Sequence, residues 1–355
     1  MMNVARNASL ISVFCRRSIS CTGIRCQQDL PTSQRSPAAQ HCLELVRDRD
    51  RENFLIGMLL PREARAGYFS VRAMNVELAT IQEAVGGNAS TGQLRIGWWR
   101  EAITQLYDAG FVETFPQHPV VTALGDTIRR HSLPKVHFDN YLDARERDLC
   151  HDSSLGFASL KQMELYALHT AGAQLRLALG CVRSDEASRN ATTAGSTTQG
   201  AGVDGPAGVD AAGEAADLIG VASGLCTLLR GAAHHARVGQ CYLPRCSLER
   251  HGLTEKTVGV IASTCAGGGE HARALRAVCG DVLDAVEDHL ERAQQLQASV
   301  PRSARGVLLS ATCVQHFVDQ IRASDCNLFD PTLVQRLPVS LVLKMWWRAT
   351  TARFM

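Results

Sequence analysis

No run of roughly eighteen or more apolar residues occurs in this 355-residue chain, so no segment is built to span a bilayer on its own. No Cys-x-x-Cys pair occurs either, although the chain holds 13 cysteines. They scatter from Cys15 to Cys326 through helical patterns, where a free thiol behaves as a small apolar side chain. Cys241 and Cys246 are close but too loosely placed for a metal site. Net charge is nearly absent: 37 Lys and Arg against 35 Asp and Glu leave +2. The first 28 residues contain no acid but hold Arg6, Arg16, Arg17 and Arg25, a charge of +4 that leaves −2 for the remainder. A body so close to neutral argues against nucleic acid as a main partner. Neither a strand ladder nor an internal repeat is visible, and the pattern predicts an all-α fold.

The acid-free segment also carries Ser9, Ser12, Ser18 and Ser20 among Leu10, Ile11, Val13 and Phe14. Arg- and Ser-rich, acid-poor composition is that of a transit peptide. Residues 1–28 are therefore expected to direct the chain to the mitochondrion, with a plastid sequence or a plain disordered tail as alternatives. Residues 29–41 are rich in Pro, Ser and Gln and are expected to form a disordered lead-in. Residues 42–355 read as one helical domain, interrupted at about 183–213. There Gly, Ala, Ser and Thr dominate, and such a stretch buries too little to fold. Val71, Met74, Leu78, Ile81 and Val85 repeat at helical intervals and predict a helix closed by Gly86-Gly87-Asn88. Further helices are predicted near 94–108, 118–131, 135–150, 157–181, 214–238, 270–297, 302–323 and 338–352. The last contains Leu341-Val342-Leu343-Lys344-Met345-Trp346-Trp347-Arg348, which reads either as a core helix or as a membrane-surface helix.

Two segments carry the chemistry. Leu229, Arg230, Gly239, Tyr242, Leu243 and Pro244 form a frame that resembles the second aspartate-rich motif of squalene and phytoene synthases, Leu-Arg-Asp-x-x-Glu-Asp-x-x-x-Gly-Arg-x-Tyr-Leu-Pro. The motif's acids fall on Gly231, His234 and His235, and its second arginine on Gln240. The stretch from Ala73 to Glu83 resembles the first motif, with acid positions at Ala79, Thr80 and Glu83. The resemblance implies an isoprenoid-synthase helical bundle around a central cavity. In that family Mg²⁺ neutralises a prenyl diphosphate. Magnesium takes oxygen ligands, whereas imidazole suits zinc, copper or iron. Adjacent histidines on a helix also point in different directions. The frame with its acids removed implies a fold kept without the reaction: a pseudoenzyme with no metal and no cofactor.

Arg72-Ala73-Met74-Asn75-Val76-Glu77-Leu78, Gln93 to Glu101 with its Trp98-Trp99-Arg100, and Gly224 to Gly231 are similar to signatures of a mitochondrial, non-synthase branch of this family. Its members assist assembly of respiratory complex I. The resemblance implies a non-catalytic assembly role on the matrix side of the inner membrane. It implies complex I subunits or other assembly factors as partners, peripheral membrane association, and an isoprenoid or other lipid as a further ligand. Two alternatives stand: an active Mg-dependent prenyl transferase relying on Glu83, Glu77 and acids from elsewhere such as Asp48 and Asp50, or an isoprenoid-lipid binding protein.

The candidate cavity or partner-site residues are Asn75, Glu77, Glu83, Trp98, Trp99, Arg100, Arg230, His234, His235, Arg237 and Tyr242. Each has a plainer reading. Glu83 is a pocket carboxylate or a solvated one. Trp98 and Trp99 fill the core, or one of them edges a groove. Arg230 and Arg237 retain an anion site or lie in solvent. The histidine pair is two polar residues near a helix end.

Overall fold

A computed structural model describes residues 36–81, 89–108, 118–150, 156–193, 210–264, 269–330, 333 and 337–355. These residues are overwhelmingly helical, and an isolated bridge joins Phe157 to Pro244. Helix α1 (Pro37–Arg49) starts at Ser36, whose hydroxyl accepts from the Ala39 amide at 3.2 Å, with Pro37 in the first turn. Asp50 caps α2 (Arg51–Leu59) by accepting from the Asn53 amide. Then follow α3 (Arg62–Ala79), α4 (Ala89–Tyr107), α5 (Pro119–His131) and α6 (Lys135–Cys150). Ser159 caps α7 (Leu160–Ala167), which passes through a π turn at Leu168–Gly172 into α8 (Ala173–Thr193). The set continues with α9 (Ala211–Arg237), α10 (Arg245–Arg250), α11 (Glu255–Thr264), α12 (Glu270–Gln295), the single turn α13 (Arg302–Arg305), α14 (Ser310–Ala323) and α15 (Val339–Thr350).

Two of these helices are buried nearly all round. In α3 the buried set runs from Ala64 through Tyr68, Phe69, Val71, Met74 and Leu78, and Ile81 lies beyond it on the same apolar side. In α9 it includes Ala215, Ile219, Ala222, Leu225, Leu229 and Ala236. By length and composition α9 could cross a membrane, but most of it is enclosed by the bundle. Helix α8 packs against both α3 and α9 and joins the two halves of the core.

The crossing of α9 over the π turn is set by glycine. A Cβ at Gly220 would stand 2.3 Å from the Gly172 Cα, and one at Gly224 would stand 2.5 Å from the Ala167 Cβ. With side chains absent on that strip, the two backbones approach to contact. The π turn inserts an extra residue at this crossing, as such bulges do where helix geometry must yield.

Two expected boundaries are corrected. Residues 37–41 are not lead-in but the first turn of α1, because Ser36 and Pro37 supply a cap that outweighs the polar composition. The stretch expected to be disordered over 183–213 is helical at both ends. Its alanines favour helix, α8 runs to Thr193, and Asp210 caps α9 by accepting from the Gly213 amide at 3.1 Å. Arg183 and Arg176 both bond to Asp210 across the two ends. Residues 194–209, the predicted transit peptide, Glu83, Val85 and Gly86-Gly87-Asn88 lie outside the described residues.

The close crossing has a measurable consequence. Gly220→Val is expected to cost about 3 kcal/mol, because backbone rather than a movable side chain blocks the new carbons. Gly280→Ala, in α12 with nothing within 4 Å of a Cβ, is expected to add about 0.5–1 kcal/mol from helix propensity. Denaturant midpoints of the two variants check this, and equal effects would contradict the close-contact reading.

Candidate functional site

The interior between α3, α6, α7 and α8 is polar, and most of its groups bond to one another, while the buried Arg72 Nε has no hydrogen-bond partner. Asn75 Oδ1 accepts from the Tyr141 hydroxyl at 2.7 Å and from Gln174 Nε2 at 2.8 Å. Gln174 Oε1 accepts in turn from Arg72 Nη1 at 2.7 Å. Arg145 donates to the Tyr141 and Tyr166 hydroxyls at 3.2 Å, and Tyr166 donates to Asp148 at 3.3 Å. At the other end, Arg72 stacks on Tyr68, Tyr68 donates to Asn53, and Asn53 donates to Asp50. Burial drives the charges toward neutrality here unless a partner intervenes. Burial raises the Asp50 carboxyl, opposed by the Arg72 guanidinium. It pushes Tyr68 up to about 12 and Tyr166 higher still. Arg145 stays charged against its desolvation because Tyr141, Tyr166 and Asp148 surround it.

An aromatic chain leads from this network to the end of α9. Phe157 lies 5.3 Å from Tyr166 and 6.1 Å from Tyr242, and Tyr242 meets the His235 ring edge-on at 4.7 Å. His235 Nδ1 is 3.3 Å from Gln240 Oε1, and its other edge folds back over Gly231. A Cβ at Gly231 would stand 2.8 Å from the imidazole, so ring and glycine share one space. Burial holds the His235 pKa below its ordinary 6.5, with His234 adding to the shift. His234 and Arg237 are exposed.

The remaining predicted residues fall elsewhere. Arg230 points away from His235, pairs with Glu52 at 3.0 Å and stacks on Phe317. It borders a recess of about 40 Å³ with Asn53, Ser223 and Ser310, small beside the roughly 300 Å³ of ligand pockets. Trp99 is buried and Trp98 half-buried, and both meet His118 edge-on at 5.5 and 5.4 Å. Glu77 is half-buried, and its charge acts on His118 and Cys42. Arg100 binds Asp143 at 2.8 Å and Glu146 at 2.7 Å. Ala79 is exposed, and the Thr80 hydroxyl bonds back to its own helix at the Val76 and Glu77 carbonyls.

The structure thus brings Asn75, His235 and Tyr242 to one connected interior, puts Arg230 beside its Asn53 end, and leaves Arg237 and the tryptophans away from it. Sequence reasoning missed Arg72, Tyr141, Arg145, Asp148 and Gln174 as members. Arg72 is the one with a visible signal, a cation inside a run of buried positions. Among the described residues no three His, Cys, Asp or Glu side chains converge as a metal would require.

The model of squalene/phytoene synthase matches residues 46–342. The chain belongs to the squalene/phytoene synthase family. Within reach of this family, the chain is similar to proteins named NADH dehydrogenase (ubiquinone) complex I, assembly factor 6. The Bos taurus protein is 28% identical over 310 residues, 86% of this chain and 81% of that one. The Homo sapiens protein is 27% identical over 309 residues, again 86% and 81%. A Dictyostelium discoideum homolog is 22% identical, covering 84% and 74%. Among solved structures, a dehydrosqualene synthase in complex with ligand superposes with a TM-score of 0.66 at 15% identity, over 88% of this chain and 95% of that one. Squalene synthase HpnC from Alicyclobacillus acidocaldarius gives 0.61 at 18%, over 82% and 95%. These two establish the synthase fold and nothing finer.

His118 and His235 make stability depend on pH. Burial lowers both below 6.5, so the unfolded chain takes up protons first. Their contribution is complete above about pH 6.5 and is lost as pH falls through the folded values. Asp50, raised by burial, acts in the opposite sense. The contrast is therefore drawn against His118→Gln with His235→Gln: between about pH 7.5 and 5.5 the urea midpoint of the native chain is expected to fall more than that of the double variant. Parallel profiles would contradict the assignment.

Proposed function

We propose that this chain is a non-catalytic mitochondrial factor for the assembly of respiratory complex I, acting on the matrix side of the inner membrane. The synthase fold is kept as a scaffold. The mutual fit of Gly231 and His235 carries this reading. At positions where the family places magnesium-binding acids, one residue has no side chain and the other lays a neutral imidazole across that space. The first-motif positions Ala79 and Thr80 offer an exposed methyl group and a hydroxyl bonded within its own helix. This donor set does not suit a hard, oxygen-seeking ion, and no catalytic step through magnesium is assigned. The relatives named as complex I assembly factor 6 support the assembly role. The composition of residues 1–28 supports import. Complex I subunits or fellow assembly factors are the expected partners.

Depleting the protein from cells and resolving respiratory complexes on native gels tests this. Selective loss of assembled complex I is expected. Restoration by the native chain and equally by Glu77→Gln with Glu83→Gln is expected too. Intact complex I after depletion would overturn the assembly role. Failure of a stably expressed double variant to restore it would show that the remaining carboxylates still do chemistry.

A further inference from the structure

Helix α15 has two apolar faces. Leu341 and Met345 are 3% and 1% exposed and turn inward, where Met345 meets Cys313. On the opposite side Val339, Leu343, Trp346 and Trp347, at i, i+4, i+7 and i+8, are 72%, 57%, 54% and 64% exposed. That spacing makes one continuous stripe along the helix. Two tryptophans standing in solvent side by side with a leucine and a valine are unusual for a folded surface, and contiguous apolar patches of this kind mark an interaction site.

The charge around the stripe points to the partner. From Pro338 to Met355 there are three cations, Lys344, Arg348 and Arg353, and no acid. Arg348 turns inward and donates to the Thr312 hydroxyl at 2.8 Å, close enough to Asp319 to feel its charge. Lys344 and Arg353 are exposed. Serine and threonine, at Ser340, Thr350 and Thr351, supply the other exposed positions. Indole rings favour the headgroup level of a bilayer, where the ring is half-dry and its N–H finds a polar partner. A helix with such a stripe and flanking cations lies in the interface plane and is drawn to anionic lipid.

We propose that the outer face of α15 docks on a bilayer surface containing anionic phospholipid, with Leu343, Trp346 and Trp347 entering the headgroup region and Lys344 and Arg353 facing lipid phosphates. The bundle behind α15 stays outside the bilayer, held through Leu341 and Met345.

The test is sedimentation of the full chain with phosphatidylcholine vesicles that contain or lack phosphatidylglycerol. The native chain is expected to sediment with the anionic vesicles and to be released by salt. Leu343→Ser with Trp346→Ser and Trp347→Ser is expected to weaken binding by roughly tenfold or more at an unchanged melting temperature. Lys344→Glu with Arg353→Glu is expected to weaken it by roughly tenfold through charge alone. Leu94→Ser, which alters a 76% exposed leucine on α4, serves as the control and should bind as the native chain does. The basic first 28 residues are the same in every variant, so their own affinity for vesicles cancels in the comparison. Equal binding by the native chain and the triple serine variant would overturn the proposal. So would a native chain that ignores both vesicles, or one that forms a dimer through this face without binding lipid.

Discussion

Everything near the candidate site depends on the contact of α9 with the π turn between α7 and α8. Gly220 and Gly224 let the α9 backbone lie directly on Gly172 and Ala167. That contact fixes where α9 ends relative to α7. Phe157 just before α7 can then stack between Tyr166 and Tyr242, and Tyr242 can meet His235. A side chain of any size on the glycine strip would push the helix outward and break this aromatic chain before it touched a single polar group. At this crossing packing is a matter of backbone distance more than of large apolar side chains.

The polar interior follows the same economy. A guanidinium taken out of water is costly unless its donors find acceptors. Arg145 meets this with two tyrosine hydroxyls and Asp148, and Arg72 does so in part, with Gln174 and the face of Tyr68, its Nε staying without a partner. These are contacts made by the protein with itself. Asn75, Gln174 and Tyr141 are engaged with one another, and Tyr166 with Arg145 and Asp148. These hydrogen bonds hold α3, α6, α7 and α8 together.

Much of the fold was legible in the sequence, because the apolar period of helices survives any change of function. Val71, Met74, Leu78 and Ile81 gave a buried stripe that the structure keeps. The frame from Leu229 to Pro244 placed the end of α9 and the turn after it. Boundaries were less legible where composition and capping disagree, as at Ser36-Pro37 and Asp210. The site was legible only in part. Asn75, His235 and Tyr242 lie in or beside the interior, but Arg230 turned out to pair with Glu52, 178 positions away in sequence. Arg145, Asp148 and Gln174 gave no warning, since a polar residue on a helix looks solvated until its partners from other helices are known.

A non-catalytic scaffold, as proposed, has an interior that does not accept a magnesium-bound prenyl diphosphate. Calorimetric titration of the purified chain with a non-hydrolysable farnesyl thiodiphosphate, in the presence of magnesium, tests it most directly. The account predicts no saturable heat and no shift in melting temperature at ligand concentrations up to about 1 mM, a level that still detects weak binding. Magnesium-dependent binding in the micromolar range would contradict it and return the chain to the working synthases.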